Sequence, residues 1–330
     1  MGFSVSVLNN IRANASPEYQ SRIPEATQQN IISVGNALET YNLLYNEFFP
    51  ALFNKIGKTM IESKLFKNKL ARFKSGTIYT QQDVEEIFIE MDKAEGNYDP
   101  TGPNPLGRRS GPDVKVVYHR QNRQDYYAKS IGDLDVIRVF RSEASLDTFI
   151  TGLFNSMYSG AERDEELAMK NLLATYDGYC DYGVTAITDE ASAKDFVKTV
   201  RKASLDMTFL STEYNKAGVQ TWTPVGDQVL FINKDVLAEI DVEVLSKAFN
   251  MGKTDIQVDI VAMDNFGSMT DTYGLLVDKD FFRVWDTLSK MEPQRNAQGL
   301  FTNYFYHVHQ ILSLSPFKNA IRLTTAEVSE

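Results

Sequence analysis

The first pattern that stands out along the chain is a strict alternation of apolar and polar positions over 84–91. Ile87, Ile89 and Met91 fall on one face of this extended segment, and a second segment over 114–118 alternates in the same way. A period of two is typical of β-strands with two unlike faces. Two such segments close together in the sequence predict an antiparallel hairpin.

The loop inside this hairpin, Gly96 to Pro112, is rich in glycine, proline and asparagine. Its length exceeds the ~12 to 15 residues that loops reach without a function of their own. An isolated two-stranded ribbon is marginal in water, so the hairpin must lie on another surface. The neighbouring sequence shows no further strands, and we interpret that surface as another copy of the chain. A hairpin that folds onto its own domain is the alternative.

A long helix follows. Apolar residues from Leu146 to Tyr176 recur at i, i+3 and i+4 spacing, which is the pattern of one helix face. If it is unbroken over 145–176, the helix is on the order of 45 Å long at 1.5 Å per residue. The pattern lapses at Glu162 to Glu166, a charged run that suits solvent or a basic partner.

Beyond Asp177-Gly178 the pattern changes to short helices and strands. It predicts a helix around Phe196 to Val200, a strand over Gln228 to Asn233, a helix opened by Asp241 and a strand over Ile256 to Ile260. Leu300 to Leu314 is nearly all apolar, aromatic or β-prone and predicts a return to sheet. We expect that last strand to lie on the long helix, which makes the first domain discontinuous and the fold class α+β.

The N-terminal stretch is rich in asparagine, glutamine and serine and is broken by prolines, so it predicts an arm with one helix. A basic stretch over 64–74 follows, in which Phe66, Leu70 and Phe73 alternate with lysine and arginine. We interpret it as an amphipathic helix with a solvated basic face, in preference to a nucleic-acid site.

The overall charge narrows the possible partners. The chain has 34 Lys and Arg against 44 Asp and Glu, a formal net charge of −10. A protein that wraps DNA needs surplus basic residues to displace counterions. We therefore expect this chain to enclose DNA without binding it tightly. No apolar run approaches the ~18 residues of a membrane helix, and no membrane role is expected. The single Cys180 cannot close an internal disulfide and is expected to be a small buried residue.

Candidate metal-binding groups are few. His307 and His309 would share one face of a strand about 6 to 7 Å apart, a spacing that suits a metal if a third ligand comes from elsewhere. Five aspartates could suggest a magnesium site, but the alternation around Val258 explains them as the wet face of strands. They are Asp255, Asp259, Asp264, Asp278 and Asp280. No nucleotide-binding, zinc-protease or serine-hydrolase motif occurs, so we expect no enzyme activity, no cofactor and no metal.

Several long motifs carry a resemblance to a known family. They are Asp241 to Met251, Val277 to Phe282, Lys290 to Glu292, Arg295-Asn296, Gly299-Leu300, Asn303-Tyr304, Tyr306 to Val308 and Phe317 to Ala320, with Val84 to Ile87, Asn97 to Asp99 and Arg120 to Gln124 upstream. Over nearly its whole length the chain resembles the major capsid (head) proteins of the small short-tailed phages, or podoviruses, related to the Bacillus phage group Salasmaviridae.

The resemblance implies the Hong Kong 97-type capsid fold. On that basis the chain divides into an N-terminal arm (1–60), an extended hairpin loop (61–130), a peripheral domain (131–178 plus 272–330) with a long spine helix (145–176), and an axial α/β domain (179–271). Some relatives continue into an immunoglobulin-like domain, whereas this chain stops soon after Ala320. Surface decoration by such a domain is therefore not expected.

The implied function is that of a major capsid protein that self-assembles into pentamers and hexamers and forms an icosahedral or elongated phage head around double-stranded DNA. Implied partners are further copies, which meet head to tail, a scaffolding protein and a portal protein. The implied location is the virion, after assembly in the host cytoplasm. We predict that arginines of the hairpin meet acidic groups of an adjacent copy. The predicted contact residues are Tyr98, Arg108, Arg109, Arg120, Arg123, Asp164, Glu165 and Glu166.

Three alternatives stay open at this point. An encapsulin-type compartment would use the same fold for a different particle. A metal-dependent hydrolase would use the histidines or aspartates named above. A monomeric binding module would show no self-assembly at any concentration.

Overall fold

The computed structural model describes residues 3–40, 48, 66–78, 83–92, 94, 111–132, 143–188, 190–240 and 258–325. The chain divides into two compact units, and both are discontinuous in sequence. The first unit comprises 1–71, 123–167 and 286–310, and the second comprises 72–122, 168–285 and 311–330.

The described residues form both helices and strands, numbered in chain order. The helices are α1 (Phe3–Asn14), α2 (Pro17–Arg22), α3 (Ile31–Thr40), α4 (Glu143–Thr175), α5 (Glu190–Asp206) and α6 (Lys234–Glu239). The strands are β1 (Gly76–Thr77), β2 (Val84–Ile89), β3 (Val114–His119), β4 (Arg123–Gly132), β5 (Cys180–Gly183), β6 (Gln228–Asn233), β7 (Asp259–Met263), β8 (Thr272–Asp278), β9 (Phe282–Asn296), β10 (Phe301–Leu314) and β11 (Ala320–Thr324).

The N-terminal part of the first unit contains α1, α2 and α3, so the prediction of an arm with one helix is wrong. Pro17 occupies the first turn of α2, where a missing N–H costs nothing, and Ser16 accepts a hydrogen bond from the Tyr19 amide. Arg12 donates from Nε to the Ile23 carbonyl at 2.8 Å and ties α1 to the segment after α2. The prolines therefore separate short helices instead of abolishing them.

The long helix α4 has 33 residues and a length of about 50 Å at 1.5 Å per residue. Its predicted span is confirmed to within two residues at each end. The predicted contact with the C-terminal strand is confirmed as well, because Met157 and Tyr158 share one buried core with Tyr306 and Val308 of β10. The Tyr158 and Tyr306 rings meet edge to face at 4.7 Å. In the same unit β10 pairs with β4 in antiparallel fashion.

The second unit contains a five-stranded mixed sheet in the order β5-β11-β8-β6-β7. The predicted strand over Gln228–Asn233 is confirmed as β6, and α5 confirms the predicted helix around Phe196. Phe196 and Val200 of the helix share a buried core with Leu230 and Leu276 of the sheet. The predicted helix at Asp241 lies outside the described residues.

The sequence predicts four parts, whereas the structure divides into two compact units. Within the five-stranded sheet, β8 and β11 lie beside β6 and β5, although 272–330 and 179–271 were assigned to different domains. The division into arm, loop, peripheral and axial parts therefore stays a prediction.

The predicted basic helix is wrong over its described part. Residues 66–74 form turns, with one 3-10 turn at Ala71–Phe73. The Asn68 amide donates to the Glu162 carboxylate at 3.1 Å, and the Lys69 amide donates to Glu166 at 3.3 Å. Because carboxylates of α4 accept these N–H groups, the backbone has a partner other than its own helical carbonyls.

Candidate functional site

The antiparallel hairpin of β2 and β3, called the ribbon below, has two unlike faces. Its register pairs Val84 with His119 and Ile89 with Val114, which confirms the predicted hairpin. Burial alternates along both strands as the period of two requires. The inner face, which is half-buried or buried, carries Glu86, Phe88, Lys115, Val117 and His119. The outer face, which is exposed, carries Ile87, Ile89, Met91, Val114, Val116 and Tyr118.

The inner face is attached to the rest of the second unit by a group of polar residues called the root cluster. Its members are Glu86, His119, Arg283, Ser313 and Ser315. Glu86 Oε1 accepts from Arg283 Nε at 3.0 Å, from Arg283 Nη2 at 2.7 Å and from the Ser315 hydroxyl at 2.8 Å. His119 Nε2 lies 3.0 Å from Glu86 Oε2, and its Nδ1 lies 2.8 Å from the Ser313 hydroxyl.

The root cluster holds Glu86 in its charged form. Burial by itself would raise the pKa of this carboxyl, but hydrogen bonds from His119, Arg283 and Ser315, together with the charge of Arg283, lower the pKa to about 2. His119 is buried and lies beside the Trp285 ring at 5.7 Å. The cluster is therefore a closed set of mutually satisfied partners, as buried polar groups must be.

Two further contacts continue along the inner face. The Phe88 ring stacks on Phe317 at 5.5 Å, and Lys115 donates to the Ala217 carbonyl at 3.1 Å. The ribbon thus lies on its own second unit along one face, and the expectation that the chain offers it no surface is wrong. Its supporting strands were missed because β9 and β10 come almost 200 residues later.

The outer face shows the opposite chemistry. Its six large apolar side chains are between 40% and 60% exposed. Tyr118 belongs to this face and donates from its hydroxyl to Glu85 at 3.2 Å. Soluble proteins rarely present so many neighbouring apolar side chains to water unless another molecule covers them. The sequence alternation identified this face correctly.

Arg120 and Arg123 of the predicted contact set lie in different surroundings. Arg120 is exposed and pairs with Asp83 at 3.1 Å. Arg123 is buried in the first unit, where it donates to Asp125 and Gln310 at 2.6 Å each and to the Tyr127 hydroxyl at 3.0 Å. The placement of Arg123 speaks against a direct contact with another copy, because its donors are already used within one chain.

The acidic part of the predicted set lies on α4. Asp164 accepts from the Tyr127 hydroxyl at 2.8 Å. Glu165 is buried and accepts from Asn68 at 2.8 Å and from Gln310, while Glu166, also buried, accepts from the Lys69 amide. The expectation that this run is exposed to solvent is wrong for Glu165 and Glu166, whose buried carboxylates accept hydrogen bonds from polar groups of their own unit.

Tyr98, Arg108 and Arg109 lie outside the described residues. Contact with another copy therefore stays a prediction for the whole set. Glu86, His119 and Arg283 were not singled out from the sequence. The sequence does contain a signal for Glu86. This carboxylate lies on the same strand face as Phe88, opposite the apolar outer face, and it needs a polar partner if the Phe88 face is covered.

The described aspartates of the candidate metal site have other partners. Asp259 pairs with Arg72 at 2.8 Å, Asp264 with Lys170 at 2.6 Å, and Asp278 accepts from Thr223 at 3.1 Å. Asp255 lies outside the described residues. Among the residues that the structure describes, no three His, Cys, Asp or Glu side chains lie together as metal ligands would. The rings of His307 and His309 are perpendicular to each other, with centroids 6.4 Å apart.

Cys180 is half-buried at the start of β5, and burial raises the pKa of its thiol. A raised pKa lowers the thiolate fraction and so the reactivity. No helix in the described part of the chain is long and apolar enough to cross a membrane.

A comparison with protein families decides the family of the chain. The model of a family described as Phi29-like phage major capsid protein matches residues 8–324, nearly the whole chain. The chain belongs to the Phi29-like phage major capsid protein family. Individual relatives agree with this assignment.

Two relatives illustrate the similarity. The major capsid protein of Bacillus phage B103 is 35% identical over 331 residues, which cover 98% of this chain and 73% of the relative. The major capsid protein of Streptococcus phage Cp-1 is 28% identical over 340 residues, which cover 96% of this chain and 93% of the relative.

Solved capsid structures share the fold at low sequence identity. The capsid of Staphylococcus phage Andhra superposes with a TM-score of 0.64 at 14% identity, over 79% of this chain and 85% of that one. The mature capsid of bacteriophage PhiM1 gives 0.55 at 8% identity, over 80% and 89%. The predicted α+β, Hong Kong 97-type fold is confirmed.

Family membership gives the chain its role. It is a Phi29-like major capsid protein, a structural subunit that forms the shell of the phage head, and it is not an enzyme. It resides in the virion capsid and works as a homo-oligomer. The hydrolase and monomeric-module alternatives do not fit this role.

Proposed function

We propose that copies of this Phi29-like capsid protein close into pentamers and hexamers through head-to-tail contacts, and that the outer face of the ribbon lies on a neighbouring copy in each contact. The observation that carries this proposal is that the apolar face of the ribbon is the exposed one. Its inner face, which carries Glu86, Lys115 and His119, is half-buried or buried on the rest of its own unit, whereas its outer apolar face is exposed. A head-to-tail contact joins two different surfaces and closes into a ring when the rotation allows it.

The free energy that the outer face can contribute is moderate. A fully buried large apolar side chain contributes about 1.5 to 3 kcal/mol, and these six side chains are about half exposed. Covering them contributes on the order of 5 kcal/mol per contact, before the cost of ordering the two copies. A shell multiplies this contact over all its subunits, so weak pairwise association is compatible with a stable container.

Charge contacts around the ribbon are the second part of the proposal. Arg120 is the described arginine of the predicted set whose side chain is exposed, and its ion pair with Asp83 is open to solvent. Exposed pairs contribute little, so Arg120 can exchange Asp83 for an acidic group of a neighbour at small cost. Tyr98, Arg108 and Arg109 remain proposed contact residues, with Asp164 as a proposed acidic partner.

A matched pair of variants tests the apolar contact. Ile87 on the outer face is 54% exposed and Ile32 on α3 is 55% exposed, so the two differ in position but not in exposure. Ile87→Lys should prevent closed shells, because burying an unpaired ammonium at the contact is costly. Ile32→Lys is the control and should assemble as the wild type does. Electron microscopy and sedimentation of the particles distinguish the two results.

Normal shells from Ile87→Lys would contradict the contact. Monomeric, natively folded Ile87→Lys subunits alongside closed Ile32→Lys shells would support it. Circular dichroism of the unassembled subunits establishes that both variants are folded.

We further propose that the shell encloses double-stranded DNA without gripping it. The formal net charge of −10 supports this, because phosphate attraction requires surplus Lys and Arg. Retention of the unassembled subunit on immobilised duplex DNA should be negligible at physiological salt. Tight, salt-sensitive retention would contradict the proposal.

A scaffolding protein and a portal protein complete the proposed set of partners. Contacts that are individually weak leave the curvature of the shell underdetermined, which favours a second protein that selects one size. Coexpression with the scaffolding protein of the same phage should narrow the diameter distribution of the particles. The proposed division into arm (1–60), extended loop (61–130), peripheral domain and axial domain (179–271) belongs to the same proposal.

A further inference from the structure

We propose that the root cluster fixes the angle at which the ribbon leaves its own unit, so that the outer face already points toward the neighbour before two copies meet. Glu86 is the central positioning residue, and His119 and Arg283 are its partners. This inference rests on the proposed contact of the ribbon with a neighbouring copy.

The connections of the cluster explain why it controls an angle. Glu86 belongs to β2 and His119 to β3, so both strands of the ribbon are attached. Arg283 lies at the start of β9 and Ser313 at the end of β10, so the attachment reaches two separate strands through their residues in the second unit. Two strands bound to two strands cannot rotate about a single bond. The ribbon root is therefore held in one orientation.

The chemistry of the cluster points the same way. Hydrogen bonds weaken steeply when their angle departs from linearity, whereas apolar contact has no preferred direction. The Arg283 guanidinium presents two N–H groups to one Glu86 oxygen, and a planar group with two bonds fixes its partner closely. A buried ion pair is often no more stabilising than an apolar pair of similar volume. Its advantage at this position is therefore orientation and not strength.

A preset ribbon has a direct consequence for assembly. Ordering a mobile segment at the moment of contact reduces affinity, and a segment that is already oriented avoids that cost. The Phe88 contact with Phe317 lies next to the cluster on the inner face and would persist without it. Loss of the cluster should thus leave the ribbon attached but variable in angle.

A charge-free double variant separates orientation from stability. Glu86→Leu combined with Arg283→Met removes both charges, so neither charge is left buried and unpaired, and the buried His119 loses one hydrogen-bond partner. Asp227→Asn combined with Lys279→Gln is the matched control, since it removes a half-exposed ion pair of the second unit that belongs neither to the ribbon nor to the proposed contact. Each pair of substitutions is introduced into the whole chain. The thermal midpoint and the hydrogen exchange of the amides in 84–89 and 114–119 are measured on unassembled subunits. Particle shape is measured by electron microscopy.

The double variant should fold, with a thermal midpoint at most about 10 °C below that of the wild type, because the buried His119 loses one hydrogen bond. Its ribbon amides should exchange at least about tenfold faster, which reports more frequent local opening. The fraction of closed, uniform shells should fall at least about fivefold, with open or irregular sheets in their place. The control should match the wild type in all three properties.

Uniform shells from the double variant would overturn the inference and reduce the cluster to a stability element. If the double variant does not fold, Ser313→Ala and Ser315→Ala each remove one hydroxyl and provide the same readouts. Normal shells from both serine variants, with unchanged ribbon exchange, would then overturn it.

The outcome of the double-variant experiment can be distinguished from the outcome of the Ile87→Lys test of the neighbour contact. Normal shells from Ile87→Lys would refute the contact itself, whatever the double variant does. Failed shells from Ile87→Lys together with normal shells from the double variant would leave the contact intact and refute only the role of the root cluster.

Discussion

Glu86 accepts two hydrogen bonds from Arg283, at 3.0 and 2.7 Å, across a separation of 197 residues in the sequence. This contact joins the first strand of the ribbon to β9 in the second unit. It lies on the attached face beside the contact of Phe88 with Phe317, and six large apolar residues of the ribbon lie on the opposite, exposed face. The pair therefore accounts for both an attached ribbon and a free apolar face.

Breaking this pair on one side should destabilise the subunit. Glu86→Gln keeps the shape of the side chain but leaves Arg283 without its counter-charge, and we expect a loss of about 2 to 3 kcal/mol in the free energy of unfolding. Urea denaturation of unassembled subunits measures the loss. Glu85→Gln, on the exposed face of the same strand, is the control and should stay within about 0.5 kcal/mol.

Acid should weaken the subunit partly through Glu86. Its folded pKa of about 2 lies below the ordinary value of 4.5, so its contribution is fully present above about pH 4.5 and is lost as the pH falls toward 2. Between pH 5 and 2 the wild type should lose stability more steeply than Glu86→Gln. Denaturation midpoints across this range measure the difference, and parallel curves would contradict the assignment.

The sheet of the second unit should be sensitive to lost volume. Leu276 lies on β8, between two neighbouring strands, and is completely buried. Leu276→Ala should cost about 2 to 5 kcal/mol, because the cavity it leaves cannot fully collapse. Leu167→Ala on an exposed position of α4 should cost less than about 1 kcal/mol. Equal losses in denaturant unfolding would show that this sheet is not the core of its unit.

Two glycines should respond to alanine in opposite ways. A Cβ at Gly274 would lie 3.0 Å from the Phe231 carbonyl oxygen, so Gly274→Ala should destabilise by about 1 to 3 kcal/mol. A Cβ at Gly152, inside α4, would meet nothing within 4 Å. Gly152→Ala should stabilise by about 0.5 to 1 kcal/mol through helix propensity. Thermal unfolding of the unassembled subunits provides the comparison.

Local periodicity was sufficient for elements whose buried faces repeat regularly. The spacing of apolar residues predicted α4 to within two residues at each end, and alternation predicted the ribbon. Periodicity failed where a distant group supplies the hydrogen bonds. The stretch at 66–74 has helical apolar spacing, but its amides at Asn68 and Lys69 donate to carboxylates of α4, almost a hundred residues away.

The candidate site divides in the same way. The exposed apolar face was predictable because alternation needs only neighbouring residues. The surroundings of the charged residues were not predictable, since their partners are distant in sequence. Arg123 and Glu165, predicted at a boundary between copies, lie in a buried network with Gln310. Arg120, from the same predicted set, is exposed and forms an ion pair with the nearby Asp83.

The amino-acid sequence by itself determined the class of fold, the long helix, the two-faced ribbon and, through its motifs, the family of phage shell proteins. The helix and the ribbon follow from the periodicity of neighbouring positions, and the family follows from the order of residues in its motifs. Only the tertiary structure decided which charges are buried and which are exposed, and that the polar face of the ribbon is the attached one. The reason is physical: a charge is buried at tolerable cost only where a specific distant partner satisfies it, and folding alone brings that partner near.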